Sequence, residues 1–214
     1  MKKEHDMQVF EFGDSPSDTL LIQPVGGHEI SMIENEAALI RQLSGQAFHM
    51  IAVRVDNWNR DLSPWHSPAV FGSEGFGDGA ADTLGKILPL LGGYRKRIIG
   101  GYSLAGLFAL WAGYQTELFD GIAAASPSVW FPGFTDYMAR QPIRTSCVCL
   151  SLGNREEKTR NPVMSRVGDC IREAQDILVR QGISCCLAWN EGNHFREPDL
   201  RTAKAFAWVM AHII

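Results

Sequence analysis

One serine stands where the chain must bend hardest. The stretch from Arg97 to Leu110 (RIIGGYSLAGLFAL) opens with the apolar pair Ile98 and Ile99. It tightens through Gly100 and Gly101 and ends as an apolar segment with helical spacing. It reads as strand, sharp turn and helix, with Ser103 at the tip. Such a turn lifts the serine above the strand ends, and the residues two before and two after it must be small. Here they are Gly101 and Ala105, giving G-x-S-x-A in place of the stricter G-x-S-x-G. The same letters would also suit an incidental serine in a glycine-rich turn. A phosphate loop fits poorly, because Leu107 stands where a lysine is needed and no G-x-G-x-x-G spacing is present. The chemistry on offer is nucleophilic attack by a hydroxyl, which needs a base to take its proton.

Of six histidines, His194 is the candidate base. It follows the last apolar run, in Glu191-Gly192-Asn193-His194-Phe195, where glycine permits a tight loop. His28 and His66 also fall in loops after strands, His49 directly precedes a strand at the opposite end, and His5 and His212 are terminal. A carboxylate should orient the base and stabilise its protonated form. The loop after the penultimate strand offers Glu156 and Glu157; Glu156, three residues past Gly153, is preferred, and both can reach a histidine. A tetrahedral oxyanion needs fixed N–H donors. One is expected from Leu104, next to the serine. The other is expected from Val25, Gly26 or Gly27 in the turn Gln23–His28, with Gly26 central. Trp58 and Trp65 in the loop Asp56–Pro68, and Trp130 after another strand, suit either a substrate pocket or packing of the loops. Asn57 and Asp61 suit polar substrate contacts or local turns. Asp56, Asp61 and Asp78 match no metal motif, and neither a metal nor a cofactor is expected.

These residues need a frame that gathers loops distant in sequence. Met7–Phe12 alternates like an edge strand, whereas Thr19–Ile22, Met50–Val55, Gly121–Ala125, Ser146–Leu152 and Ile183–Trp189 read as strands. Helical patterns cover Met32–Leu43, Ala80–Leu91, the segment after Ser103 to about Tyr114, Pro162–Gln181, and Pro198 to the C-terminus. Strands alternating with helices, and continuously apolar, predict an α/β fold with a mainly parallel sheet covered on both faces. In such sheets ligands bind beyond the carboxyl ends of the strands. Every unusual loop named above follows a strand.

The 214 residues suit one domain, 1–214, and 45% apolar with 21% charged residues is ordinary for a globular chain. The net charge of −4 is spread along the sequence, so nothing points to nucleic acid. No apolar run is long enough to span a membrane, and the N-terminal Met1–Asp6 leads into no apolar signal segment. Five cysteines, Cys147, Cys149, Cys170, Cys185 and Cys186, lie in apolar runs without C-x-x-C spacing, as thiols of a cytoplasmic protein would. A homodimer is compatible with this composition.

Gly100-Gly101-Tyr102-Ser103-Leu104-Ala105-Gly106, the segment Gly153–Lys158 and Gly192-Asn193-His194-Phe195 resemble the putative-esterase family of α/β-hydrolases, which includes siderophore and feruloyl esterases. The resemblance runs from about Thr19 onward. It implies an α/β-hydrolase fold with no large cap domain and cofactor-independent cleavage of small-molecule carboxylic esters. It matches Ser103 to the nucleophile, His194 to the base and Glu156 to the acid, in the chain order of that fold. Many members carry Asp at the acid position. Acyl transfer to an alcohol through the same acyl-enzyme, and a binding protein that kept the fold without activity, are the alternatives.

Overall fold

The computed structural model describes residues 7–213; the first six residues, His5 among them, and Ile214 lie outside the described residues. Seven strands form one sheet: β1 (Val9–Gly13), β2 (Thr19–Val25), β3 (His49–Arg54), β4 (Lys96–Tyr102), β5 (Gly121–Ala125), β6 (Cys147–Gly153) and β7 (Ser184–Asn190). Their spatial order is β1-β3-β2-β4-β5-β6-β7. β1 pairs antiparallel with β3 and the remaining pairs are parallel. The helices are α1 (Ile30–Ser44), α2 (Trp58–Asp61), α3 (Ala80–Ile87), α4 (Leu104–Gln115), α5 (Phe134–Arg140), α6 (Val167–Arg180) and α7 (Pro198–His212).

Successive strand residues point to opposite faces, and each face must be covered. Leu20, Ile22, Ile99, Ile122 and Leu150 pack with α3, α4, α5 and α6 on one side. Leu21, Ile98, Ala123 and Cys149 pack with α1 and α7 on the other. α4 is buried from Leu104 to Tyr114, because it is apolar all round and lies between the sheet and its neighbours. Among the described residues no helix is long and apolar enough to cross a membrane.

The structure departs from the sequence reading in small ways. A short helix, α2, interrupts the expected Asp56–Pro68 loop; the Asn57 side chain accepts the Arg60 N–H at 2.8 Å and starts it. α5 occupies a stretch that carries no helical expectation, buried through Phe134 and Met138 one turn apart. The helix expected to reach Leu91 changes to a 3-10 turn at Leu88–Leu91, where Pro89 has no N–H to continue the α-helix. The helix expected from Pro162 begins as a 3-10 turn at Met164–Arg166. β7 is the sheet edge and half-exposed rather than buried; the Arg172 guanidinium lies 5.1 Å from the Trp189 ring centre and covers part of it.

From β2 the chain steps to β3 on one side, then crosses to β4 on the other and continues outward to β7. The crevice between the carboxyl ends of β2 and β4 is therefore the topological switch point where such sheets bind ligands. Ser103 follows β4 and the Gly26–Glu29 turn follows β2.

Candidate active site

Ser103 has φ 57° and ψ −118°, a region that L-residues avoid at a cost of order 1–3 kcal/mol. Its neighbours hold it there. The Ser103 N–H donates to the Ala125 carbonyl at 3.1 Å, and the Ser103 carbonyl accepts from Leu107 at 3.1 Å and Ser128 at 3.0 Å. A methyl group on Gly101 would lie 2.6 Å from the Ala105 Cβ. The glycine before the serine is thus what lets an alanine stand after it.

The histidine and the acid come from the far half of the sheet. His194 Nε2 lies 3.0 Å from Ser103 Oγ, and His194 Nδ1 lies 2.7 Å from Glu156 Oε2. The other carboxylate oxygen, Oε1, accepts three bonds: from Ser126 Oγ at 2.8 Å, the Gly153 N–H at 2.7 Å and Arg201 Nη1 at 2.8 Å. A Cβ on Gly153 would sit 2.5 Å from the Gly192 carbonyl and 2.9 Å from Glu156 Oε1, so only glycine lets the two loops approach. Burial acts to raise the Glu156 carboxyl. The hydrogen bond and charge of His194, with the Gly153 and Ser126 donors, outweigh it and hold the group below the ordinary glutamate range. Glu156 is therefore the ionised partner. Glu157 points elsewhere and meets Arg172 at 3.3 Å on the surface.

Arg201 completes the arrangement and was not legible as part of it. It is 2% exposed. Besides Glu156, it donates to Tyr102 Oη at 3.1 Å and to the carbonyls of Glu191 at 3.0 Å and Asn193 at 2.9 Å. Tyr102 in turn donates to the His194 carbonyl at 2.6 Å, and burial pushes its hydroxyl up to about 12. The His194 loop is thus tied at three carbonyls. The available signal was a cation at the same helical face as Ala205 and Val209, where a charge must find a buried partner. Ser126, with φ 43°, had no sequence signal beyond its place after a strand.

A cleft of about 620 Å³ opens over Ser103 and His194. Its walls carry Trp58, Phe71, Phe76, Trp130, Met164 and Phe195, and His28 and Leu104 also line it. Phe71, Phe76 and Trp130 pack edge to face, with ring centres 6.1–6.2 Å apart. Phe195 is 87% exposed at its mouth. Leu104 opens α4, so its N–H is one of those a helix leaves unpaired in its first turn.

Three expected contacts differ. The Gly26 N–H already donates to Glu29 Oε2 at 2.8 Å, and the Gly26 carbonyl accepts the Glu29 N–H at 3.0 Å, closing the turn that leads into α1. Trp65 is absent from the cleft wall: it packs on Phe131, Phe134 and Tyr137 and donates to the Pro132 carbonyl at 3.0 Å. Asn57 serves as the α2 cap. Of the other histidines, His66 meets Asp78 at 3.2 Å and His49 meets Tyr94 and Glu11 at the opposite end of the sheet. Among the described residues no cluster of three or more His, Cys, Asp or Glu has the arrangement of a metal site.

No protein-family model and no curated protein matches the sequence. Solved structures do. An IroE-like serine hydrolase from Shewanella oneidensis superposes with a TM-score of 0.69 at 15% identity, over 94% of this chain and 73% of that one. The siderophore hydrolase EstA from Aspergillus nidulans gives 0.69 at 17%, over 96% and 94%. The enterobactin esterase FES from Shigella flexneri gives 0.67 at 14%, over 97% of this chain and 56% of that one. At such identities the likeness establishes the fold: the chain has the α/β-hydrolase fold.

Proposed function

We propose that this protein is a serine hydrolase that cleaves small carboxylic esters through an acyl-enzyme on Ser103. The observation that carries this reading is the unbroken line from Ser103 Oγ through His194 to Glu156, at 3.0 and 2.7 Å. The solved structures it resembles, a serine hydrolase and two siderophore-cleaving enzymes among them, support the same reading.

In this mechanism Ser103 Oγ attacks the ester carbonyl while His194 Nε2 takes its proton. Glu156 holds the Nδ1–H and stabilises the imidazolium. The oxyanion takes the Leu104 N–H and an N–H of the β2–α1 turn; with Gly26 bonded to Glu29, Gly27 is the donor left free. Collapse breaks the bond to the alkoxide, and His194 returns the proton to that leaving group. Water then repeats the sequence, His194 acting first as base and then as acid, and Ser103 leaves with its proton restored. Trp58 and Trp130 bind the apolar part of the substrate. A cytoplasmic location belongs to this proposal; the five free cysteines suit such a reducing compartment.

Fluorophosphonate labelling with mass-spectrometric site mapping tests this, beside turnover of p-nitrophenyl acetate and butyrate. A single adduct on Ser103, with release of free acid, is expected. Folded protein that neither labels nor turns over would overturn the reading in favour of a binding protein on the same fold.

A further inference from the structure

The cleft wall carries one carboxylate, Glu29, beside the His28 imidazole. Glu29 lies on its wall, 9% exposed, and neither Lys nor Arg lines it. Glu29 Oε2 accepts the Gly26 N–H, while Oε1 accepts from no described residue; among the described residues neither Lys nor Arg pairs with Glu29, and the adjacent His28 imidazole is the basic group that acts on it. A buried carboxylate is costly to ionise without a partner, and burial does raise this one. The nearest further charges are of the same sign. Glu36 on α1 and Asp199 on α7 face the same region; Glu36 bonds to Gln23, and Asp199 accepts from Asn35 at 2.6 Å.

An aromatic wall stands close to that carboxylate. Gly26 lies beside both: its N–H meets Glu29, and a Cβ built on it would lie 2.7 Å from the His28 ring and 3.3 Å from Trp58 Cε3, with His28 edge-on to Trp58 at 5.8 Å between ring centres. Carboxylate and indole together form the chemistry that receives an ammonium group: charge pairing on one side, the ring quadrupole on the other.

Resting on the esterase reading above, we propose that the cleft selects esters that carry a positively charged ammonium group, held between Glu29 and Trp58. An anionic group at that position meets a carboxylate of like charge, and a neutral group gains no charge pairing from it. The bond from the Gly26 N–H also explains how the carboxylate stays in place while the site is empty.

The test compares three thioesters of similar shape by acetate release: acetylthiocholine, its neutral carbon isostere 3,3-dimethylbutyl thioacetate, and the anionic S-acetyl-3-mercaptopropionate. The cationic ester should lead the neutral one in kcat/KM by about tenfold, the scale of one well-placed charge pair, with the anionic ester last. Glu29→Gln keeps an oxygen for the Gly26 N–H and removes only the charge. It should bring the cation-to-neutral ratio to about one, whatever it does to absolute rates. Equal rates in wild type, an anionic preference, or an unchanged ratio in Glu29→Gln would overturn the proposal and leave Glu29 as a brace for the turn. Calorimetry with phenyltrimethylammonium on Ser103→Ala, with and without Glu29→Gln, needs no turnover. Binding that Glu29→Gln weakens supports the ammonium site, and absence of binding overturns it. If no ester is cleaved and Ser103 resists labelling, the esterase reading fails separately while this titration still decides the site.

Discussion

Replacing Glu156 with glutamine changes one atom, and the surroundings dictate which way the new amide must face. The oxygen at Oε1 receives three donors, from Ser126, Gly153 and Arg201, all at 2.7–2.8 Å. An NH2 group there would oppose all three. The glutamine oxygen must therefore stay at Oε1, which puts the NH2 2.7 Å from His194 Nδ1, where Oε2 now lies. A donor facing Nδ1 fixes the tautomer with its proton on Nε2, and that nitrogen can no longer accept the Ser103 proton. The expected loss in kcat is about 10³–10⁴, the scale seen when an orienting carboxylate becomes an amide. Stability should fall too, because Arg201 loses the counter-charge it meets at 2.8 Å while remaining buried; breaking a buried pair costs about 3–5 kcal/mol. Glu157→Gln is the control. Its contact with Arg172 lies at the surface and contributes at most about 1 kcal/mol, so turnover should stay within about twofold on this argument. The assay is p-nitrophenyl butyrate turnover with urea unfolding on the same samples. Folded Glu156→Gln retaining more than about a tenth of wild-type kcat would refute the tautomer argument, and a larger loss in Glu157→Gln would move the acid by one position.

Other changes probe the same frame. Ser103→Ala and His194→Ala should each remove nearly all turnover, with little further loss in the double variant, because nucleophile and base act as one unit; single losses that multiply would show that the two are wrongly paired. Arg201→Met should cost about 3–5 kcal/mol in urea unfolding and lower kcat more than it raises KM, since it frees the Glu191 and Asn193 carbonyls that hold the His194 loop; unchanged kcat in folded protein would make Arg201 a purely structural residue. Gly101→Ala should destabilise by about 1–3 kcal/mol through its clash with Ala105, and pairing it with Ala105→Gly should recover part of that in thermal melts; no recovery would show that the clash is not the cause. Glu36→Gln should stabilise the fold, by about 1–3 kcal/mol, because Glu36 Oε1 and Gln23 Oε1 are both buried without donors and an amide supplies one. Burial raises the Glu36 carboxyl well above its ordinary value. The stability tied to its proton is complete below the unfolded pKa and is lost as pH rises through the folded one, so the gain from Glu36→Gln should grow from acid to alkaline pH. A gain independent of pH would contradict this.

The residues that meet around Ser103 were legible because local rules bind them. The turn around Ser103 must bend, bending needs Gly101 and a small residue at 105, and those letters are contiguous. His194 and Glu156 were legible because each follows a strand near a glycine, and parallel sheets bring such loops to one edge. The sequence reading left Val25, Gly26 and Gly27 open as the second donor, because backbone N–H groups carry no side-chain signal; in the structure the Gly26 N–H is taken by Glu29, three residues on, across a local turn. Trp65 and the aromatic wall of the cleft were harder. Nothing in spacing separates a tryptophan that faces a cleft from one that faces Phe131, because both satisfy burial equally.

Arg201 lay beyond local reading altogether, and the reason bears on how this site works. Its helix reads correctly as a helix, but its partners come from the ends of four other segments: Tyr102, Ser126, Glu156 and the carbonyls near Gly192. No pattern along one segment encodes that meeting. Yet a single guanidinium there does three things at once. It pairs with the buried Glu156 carboxylate, holds the loop that carries His194, and anchors α7 to the sheet end. Hydrogen-bonded through Oε1 to three fixed donors, Glu156 is held against Nδ1, and the His194 ring is held in line with Ser103. The cost falls on the fold, which must keep a cation and an anion out of water to obtain that alignment.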